Sequence, residues 1–269
     1  MATRCRRRGA SPIFRLLLLA VLCAAFFHWS NHSLQTESFT YASPRLPEGF
    51  DGCTIVQLSD LHGAEFGADN EALIAAVAKQ EPDFIFLTGD IQDRYRKTPR
   101  SYTISLGRAL GEIAPTYFVT GNHEWAFPDV RGLKRELTEA GVTVLTNDFV
   151  TLERGGGSIL LAGIDDPNGF ADQKSPETVA EEVRAAANGG FWMLLAHRNN
   201  YFEKEYSALG ADLVISGHGH GGVIRLPFTD GLLSTDRTFF PTYTAGLYEK
   251  NGSTLFVTRG LGNTGPSFR

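Results

Sequence analysis

Five of the seven histidines in this 269-residue chain fall in four short segments, the first two of which also carry an Asp or Asn: Ser59-Asp60-Leu61-His62, Gly121-Asn122-His123, Ala196-His197 and Gly217-His218-Gly219-His220. Asp90 closes a further segment of the same kind, Thr88-Gly89-Asp90. Carboxylate, imidazole and amide without a thiol form a nitrogen and oxygen donor set. Such a set suits manganese, iron or zinc and gives no reason to expect copper(I) or an iron–sulfur cluster. The donors outnumber what one zinc ion takes but fit two ions that share a carboxylate. Two ions about 3.5–4 Å apart can hold a bridging hydroxide and clamp the attacking and leaving oxygens of an in-line displacement at phosphorus. Phosphoester hydrolysis is therefore the leading chemistry. One histidine at a strand end is more often a satisfied hydrogen-bonding residue than a ligand; the signal is the recurrence.

Positioning these residues takes elements that end where they stand. Each donor closes an apolar run of strand length: CTIVQLSD, FIFLTGD, TYFVTGN, FWMLLAH and DLVISGH, with SILLAGID a sixth run ending in Asp165. Between them ADNEALIAAVAKQ, SYTISLGRALGEI, PDVRGLKRELTEAG and SPETVAEEVRAAAN carry helical spacing, with Asp69 or Asn70 as the cap of the first. The alternation indicates layered α/β with at least one mixed sheet. In open α/β sheets sites form outside the carboxyl ends of the strands, so segments distant in sequence can deliver side chains to one place. Glycines 217, 219, 221 and 222 around the last two histidines give the backbone turns closed to other residues and a close approach to ions and phosphate.

In order, SDLH (59–62), GDIQD (89–93), GNHE (121–124), AH (196–197) and GHGH (217–220) resemble the five signature blocks of the calcineurin-like metallophosphoesterase superfamily, over roughly residues 53–263. GHGHGGVIRLPF and AGLYEKNGSTLFVTRGLGNTG are similar to its bacterial membrane-associated branch, which includes phosphodiesterases and a UDP-2,3-diacylglucosamine pyrophosphatase. The resemblance implies a four-layer αββα sandwich of two mixed sheets. It also implies two divalent ions, one on Asp60, His62 and His220, the other on Asn122, His197 and His218, with Asp90 bridging. His123 would then serve as acid toward the leaving oxygen or stabilise charge at phosphorus, Asp93 would orient His123, and Arg94 would bind phosphate. Two departures, Gly219 where the branch has threonine and Val223 where it has glutamine, bear on substrate contacts and remove no ligand.

The N-terminus has a different composition. Arg4, Arg6, Arg7, Arg8 and Arg15 precede any acid, and the remaining 20 Lys+Arg stand against 30 Asp+Glu, a balance of −10. That balance argues against a nucleic-acid surface and sets a nuclease behind other phosphohydrolases. The apolar run from Leu16 to Phe27 is shorter than the ~20 residues of a span, and Ile13, Phe14 and Trp29 extend it. Three readings stand: an uncleaved anchor with the domain extracytoplasmic, by the positive-inside bias; a shallow anchor with the domain on the cytoplasmic face; and a cleaved signal with secretion. The bulk of Phe26, Phe27, His28 and Trp29 leaves no small-x-small cleavage site and favours the anchor. Organisation follows as an N-terminal hydrophobic helix in 1–30 (anchor or signal), a polar tether 31–52 and a metallophosphoesterase domain 53–269. The apolar loop 226–243 points either to a lipid-linked substrate at a membrane surface or to packing over the second sheet. A non-catalytic metal-binding interaction module is the alternative from another class; His123 argues against it, since a scaffold needs no acid beside the metals.

Overall fold

The computed structural model describes residues 11–222, 224–225, 231–235 and 237–263. The arginines at 4 and 6–8, Val223 and part of the 226–243 loop lie outside the described residues. Apolar runs bounded by glycine, aspartate and asparagine become the strands. β1 (Ile55–Leu58), β2 (Phe84–Leu87), β3 (Thr116–Phe118) and β4 (Thr143–Val144) form one sheet in that order, parallel throughout. Every side chain of β2 is buried, as a parallel strand covered on both faces requires. The crossovers carry α2 (Glu71–Ala78), α3 (Arg100–Gly111) and α4 (Val130–Glu139). Leu73, Val77, Leu106, Leu110, Leu133 and Leu137 from these helices pack on Leu58, Ile85, Leu87 and Phe118.

The second sheet uses β5 (Asp148–Arg154), β6 (Gly157–Gly163), β7 (Trp192–Arg198) and β8 (Leu213–Gly217). After β9 (Ile224–Arg225) and β10 (Gly231–Leu233), which pair as a separate ribbon, it is completed by β11 (Gly246–Lys250) and β12 (Ser253–Val257), in the order β11-β12-β8-β7-β6-β5. The expectation of two mixed sheets is corrected: only this one is mixed. Helical crossovers make neighbours parallel, and the antiparallel pairs come from two tight hairpins. Gly155-Gly156 (φ 55° and 79°) joins β5 to β6, and Asn251-Gly252 (φ 53° and 78°) joins β11 to β12, the positive-φ pairs that two-residue hairpins prefer.

Phe84, Phe86 and Val119 of the first sheet face Leu161, Met193, Leu195 and Ile215 of the second. On the outer face of the second sheet, α5 (Pro176–Ala187) sets Val179, Ala180 and Val183 against Leu194, Val214 and Leu255. The packing order is thus helices, sheet, sheet, helix. Gln57 on β1 donates to Thr88 Oγ1 (2.7 Å) and to the Ser216 carbonyl of β8 (2.9 Å), which holds the carboxyl ends of the two sheets together.

Two of the helices between the strands take a side-chain cap from the residue before them. Ser175 caps α5 by accepting from the Thr178 N–H (3.3 Å), and Asp129 caps α4 by accepting from the Gly132 N–H (2.8 Å). Asn70, at the start of α2, is left-handed (φ 63°) and its Oδ1 instead accepts from the Phe66 N–H (3.1 Å), so it closes the preceding loop rather than capping the helix.

The leader forms α1 (Pro12–His32), opened by Ser11, whose hydroxyl accepts from the Phe14 N–H (3.2 Å), and it exposes Ile13, Leu16, Leu17, Val21, Leu22 and Trp29. Among the described residues no helix is long and apolar enough to cross a membrane. The segment expected as a tether is not free. Arg45 pairs with buried Asp212 and donates to the carbonyls of Gly189 (3.0 Å) and Gly190 (2.9 Å). The Phe39 ring lies 5.2 Å from that of Phe256, and Tyr41 6.1 Å from Phe191. Sparse aromatic and basic residues in a polar stretch thus fasten it to the second sheet.

Candidate metal centre

The expected donors converge at the carboxyl ends of both sheets. Asp60 and His62 follow β1, Asp90 follows β2, Asn122 and His123 follow β3, His197 ends β7, and His218 and His220 follow β8. The first two loops are laced together by Asp60 N–H to Gly89 O, His62 N–H to Asp90 O and Gly63 N–H to Ile91 O, each 3.0 Å. Asp60, His62, Asp90, His218 and His220 all adopt positive φ (52°, 49°, 53°, 66° and 50°). That region is uncommon for non-glycine residues and costs on the order of 1–3 kcal/mol each; five instances in one site mark a backbone held against its own preference.

Only two of the four glycines around the last histidines serve turns: Gly221 and Gly222 have φ of 67° and 89°. The other two serve proximity. A Cβ on Gly217 would stand 1.9 Å from Ser59 Oγ and 2.4 Å from Asp60 Oδ2, and one on Gly219 would stand 2.5 Å from Asn199 Nδ2.

The donors fall into two groups joined by Asp90. In the first, His220 Nε2 lies 3.1 Å from His62 Nε2 and 3.4 Å from Asp60 Oδ1. In the second, His197 Nε2 lies 3.2 Å from His218 Nδ1 and 3.3 Å from Asp90 Oδ2. That same Asp90 oxygen is 3.8 Å from His62 Nε2, while Asp90 Oδ1 is engaged by the His123 backbone N–H at 2.8 Å. Asp60 is fixed by its neighbours as well: Ser59 Oγ donates to Oδ2 (2.6 Å), and the His218 N–H approaches both oxygens (3.1 and 2.9 Å).

Three observations fit this donor set to divalent cations. His197 Nδ1 meets the Thr88 carbonyl at 2.7 Å, an acceptor only, so Nδ1 carries a proton and Nε2 is the nitrogen turned toward Asp90 and His218. This is the outer-sphere arrangement that orients a ligating histidine. The buried Asn122 Oδ1 has no hydrogen-bond partner in the structure, a costly condition that a cation would relieve. Thirdly, the electrostatics favour positive charge. Burial opposes a charge on His197, yet the Asp90 carboxylate outweighs it and the pKa is pushed up to about 10. Burial likewise works against ionised Asp60 and Asp90, and the adjacent imidazoles overcome it, lowering both. His218 goes the other way, to about 3, through burial and its proximity to His197. Carboxylates that can hold a proton on an interior imidazole can equally hold a cation.

His123 is buried, and its Nδ1 accepts from the Arg94 backbone N–H at 3.3 Å. The neutral ring, which burial favours, therefore has its proton on Nε2. Asp93, expected to orient His123, stands 3.9 Å from His123 Nδ1 and closer, at 3.5 Å, to His62 Nδ1. Its Oδ1 accepts from the backbone N–H groups of Tyr95 (2.7 Å) and Arg96 (2.9 Å). Burial resists its ionisation, but His62 and these N–H groups lower its pKa to about 2. Asp93 thus shapes the loop beside both histidines instead of bonding to His123 alone. The Arg94 guanidinium, expected at phosphate, lies over the Tyr95 ring at 4.6 Å and bonds to its hydroxyl, and the Tyr95 ring meets His123 at 5.8 Å.

Sequence reasoning passed over Glu124 and Tyr95. Glu124 is fully buried and accepts from the N–H groups of Asp90 (2.8 Å), Gly121 (2.7 Å) and Gln92 (3.0 Å). It binds the loop after β2 to the loop after β3. Burial and then repulsion by Asp90 raise its pKa to about 7 despite those donors. Its place directly after Asn122-His123 was the signal available.

A family model described as calcineurin-like phosphoesterase matches residues 53–222. The uncharacterized metallophosphoesterase YkuE of Bacillus subtilis is 31% identical over 242 residues, covering 87% of this chain and 80% of its own length. A transmembrane protein with metallophosphoesterase domain from Danio rerio is 32% identical over 236 residues, covering 84% of this chain and 52% of its own. The sulfate thiohydrolase SoxB of Thermus thermophilus shares the fold with a TM-score of 0.54 at 14% identity, over 82% of this chain and 53% of that one.

Proposed function

The chain belongs to the calcineurin-like phosphoesterase family and is a phosphoester hydrolase, and from that premise we propose that it cleaves a phosphodiester or pyrophosphate bond with two divalent ions, of manganese, zinc or iron. Asp60, His62 and His220 would hold one ion and Asn122, His197 and His218 the other, with Asp90 placed to serve both. The observation that carries this reading is the reach of Asp90 Oδ2 to His197 Nε2 on one side (3.3 Å) and His62 Nε2 on the other (3.8 Å). Bound ions supply Lewis acidity at the phosphoryl oxygens and acidify water for the attack. The protein's own groups do the rest. His123, with Nδ1 occupied by the Arg94 N–H, presents its Nε2–H as a fixed hydrogen-bond donor to the charge developing on the phosphoryl or leaving oxygen. Asp93 keeps the 93–96 loop in place beside that ring.

The finer reading is a lipid-linked substrate, such as a nucleotide-diphospho-lipid of the UDP-2,3-diacylglucosamine kind, met at a membrane surface by an outward-facing, anchored domain. It is supported by the uncovered apolar side chains of α1 and by Phe239 and Phe240, 67% and 76% exposed, since extended apolar surface marks contact with a membrane or partner.

The test is the full chain in detergent, loaded with manganese or zinc, on phosphomonoesters, phosphodiesters and nucleotide-diphospho-lipids. Metal-dependent cleavage of diesters or pyrophosphates is expected, with faster turnover of the lipid-linked member. Equal rates on soluble diesters would remove the lipid version, and no metal-dependent turnover on any of them would remove the whole reading. Protease added to spheroplasts should degrade the domain; protection would overturn the outward placement.

A further inference from the structure

The two donor groups straddle two sheets, so their separation depends on whatever fixes one sheet end against the other. Beside the site, the loop after β6 carries two consecutive acids, Asp165 and Asp166, both buried, that serve no role in the chemistry above. Asp165 Oδ1 accepts from Thr120 Oγ1 at 2.6 Å, and its Oδ2 accepts from Gln173 Nε2 (3.0 Å) and pairs with Lys134. Thr120 is saturated: its hydroxyl also accepts from Trp125 Nε1 (2.8 Å) and from the Asp166 N–H (3.3 Å). Thr120 directly precedes Gly121-Asn122-His123. Asp166, in turn, takes both ends of the Arg198 fork, Nε to Oδ2 at 2.6 Å and Nη2 to Oδ1 at 3.0 Å, with the Asn168 N–H (2.9 Å) completing Oδ1. Arg198 directly follows His197 and sits in register with Gly217, the residue before His218.

Building on the dinuclear reading above, we infer that Thr120, Asp165, Asp166 and Arg198 are positioning residues, a strut that fixes Asn122 and His123 of one sheet against His197 and His218 of the other. The chemistry suits this role. A buried carboxylate fully supplied with donors is rigid, and a bidentate arginine–carboxylate pair fixes orientation as well as distance, which a lysine's point charge cannot do. Two adjacent acids therefore anchor two different loops: Asp165 reaches the loop after β3 through one hydroxyl, and Asp166 reaches the end of β7 through one guanidinium.

The test compares Arg198→Lys, Thr120→Val and Thr120→Ser with wild type, as full chain, for manganese affinity by chelator competition, for kcat and KM on a soluble phosphodiester, and for the melting temperature of the metal-free form. Arg198→Lys keeps the charge and loses the fork; its manganese affinity is expected to fall about tenfold or more, the usual cost of disturbing a ligand's outer-sphere partner. Thr120→Val should lower kcat with little change in KM, and Thr120→Ser, which restores the hydroxyl, should recover it. If Thr120→Val does not fold, Arg198→Lys decides. Variants with wild-type affinity and kcat, differing only in melting temperature, would overturn the strut and leave it a purely structural feature. Wild-type protein that neither bound manganese nor cleaved any diester would instead overturn the functional reading on which it rests.

Discussion

The Nε2 atoms of His62 and His220 face one another at 3.1 Å, with ring planes 22° apart and Asp60 Oδ1 3.4 Å from the His220 nitrogen. One proton can serve two facing nitrogens only by sitting between them, whereas a cation gains three donors at once. Manganese should therefore raise the melting temperature of wild type, by the equivalent of about 2.7 kcal/mol at a hundredfold excess over Kd. His220→Ala should lose most of that rise and of the bound metal, yet be no less stable than wild type once metal is stripped. Scanning fluorimetry with and without chelator, together with metal counting, reads both; a metal-free His220→Ala that melts well below wild type would show that the pair is structural.

His123 clusters with His62 and Asp93, but its Nδ1 is already engaged by a backbone N–H. Replacing it with alanine should leave metal content near wild type and reduce kcat by roughly 10²–10³, the range for losing a preorganised hydrogen-bond donor to developing charge. Steady-state kinetics on a diester with a poor leaving group checks this. Undiminished turnover would sink the assigned role.

Glu124 satisfies three backbone N–H groups from two loops. Glu124→Ala strands all three in the interior, at a cost of about 3 kcal/mol or more. Glu124→Gln keeps the shape but turns its amide NH2 toward a donor, for a loss of roughly 1–3 kcal/mol. Urea unfolding of metal-free protein measures both, and an alanine variant within about 0.5 kcal/mol of wild type would mean that the loops do not depend on it.

Acid sensitivity has a separate source at the opposite, amino-terminal ends of the strands. Asp83 accepts from Arg154 Nε and from the Thr54 N–H, both at 2.8 Å. Burial disfavours its ionised form, but Arg154 and this N–H together outweigh it and the folded pKa is lowered. Because the folded pKa lies below the unfolded one, its stabilising contribution is present above about pH 4, the usual aspartate value, and is lost as pH falls through the folded pKa. Asp83→Asn should thus be less stable than wild type at pH 7, by a gap that narrows at pH 3. Urea midpoints at the two pH values give the comparison, and a gap that does not narrow in acid would place the effect elsewhere.

The sequence by itself determined the donor set and the strands that carry it. Apolar runs ending in Asp60, Asp90, Asn122, His197 and His218 are legible because a buried parallel strand is a local hydrophobic signal and the residue beyond its end is forced toward the cleft. The sequence also marked all four helices between those strands. The edge strands β4, β5 and β11 were not legible, since a partly exposed strand keeps polar residues, and neither was the docking of residues 33–52, whose few anchors meet partners more than a hundred positions away. Only the tertiary structure decided that Asp93 lies closer to His62 than to His123, and that Glu124 ties two loops together. It alone set Thr120 against Asp165 across the two sheets, and it divided the expected roles of the glycines, with Gly217 and Gly219 serving close approach to Ser59, Asp60 and Asn199 and not turns. Hydrogen-bond direction and interatomic approach arise from how the sheets pack, and nothing in a local pattern of residue types encodes that packing.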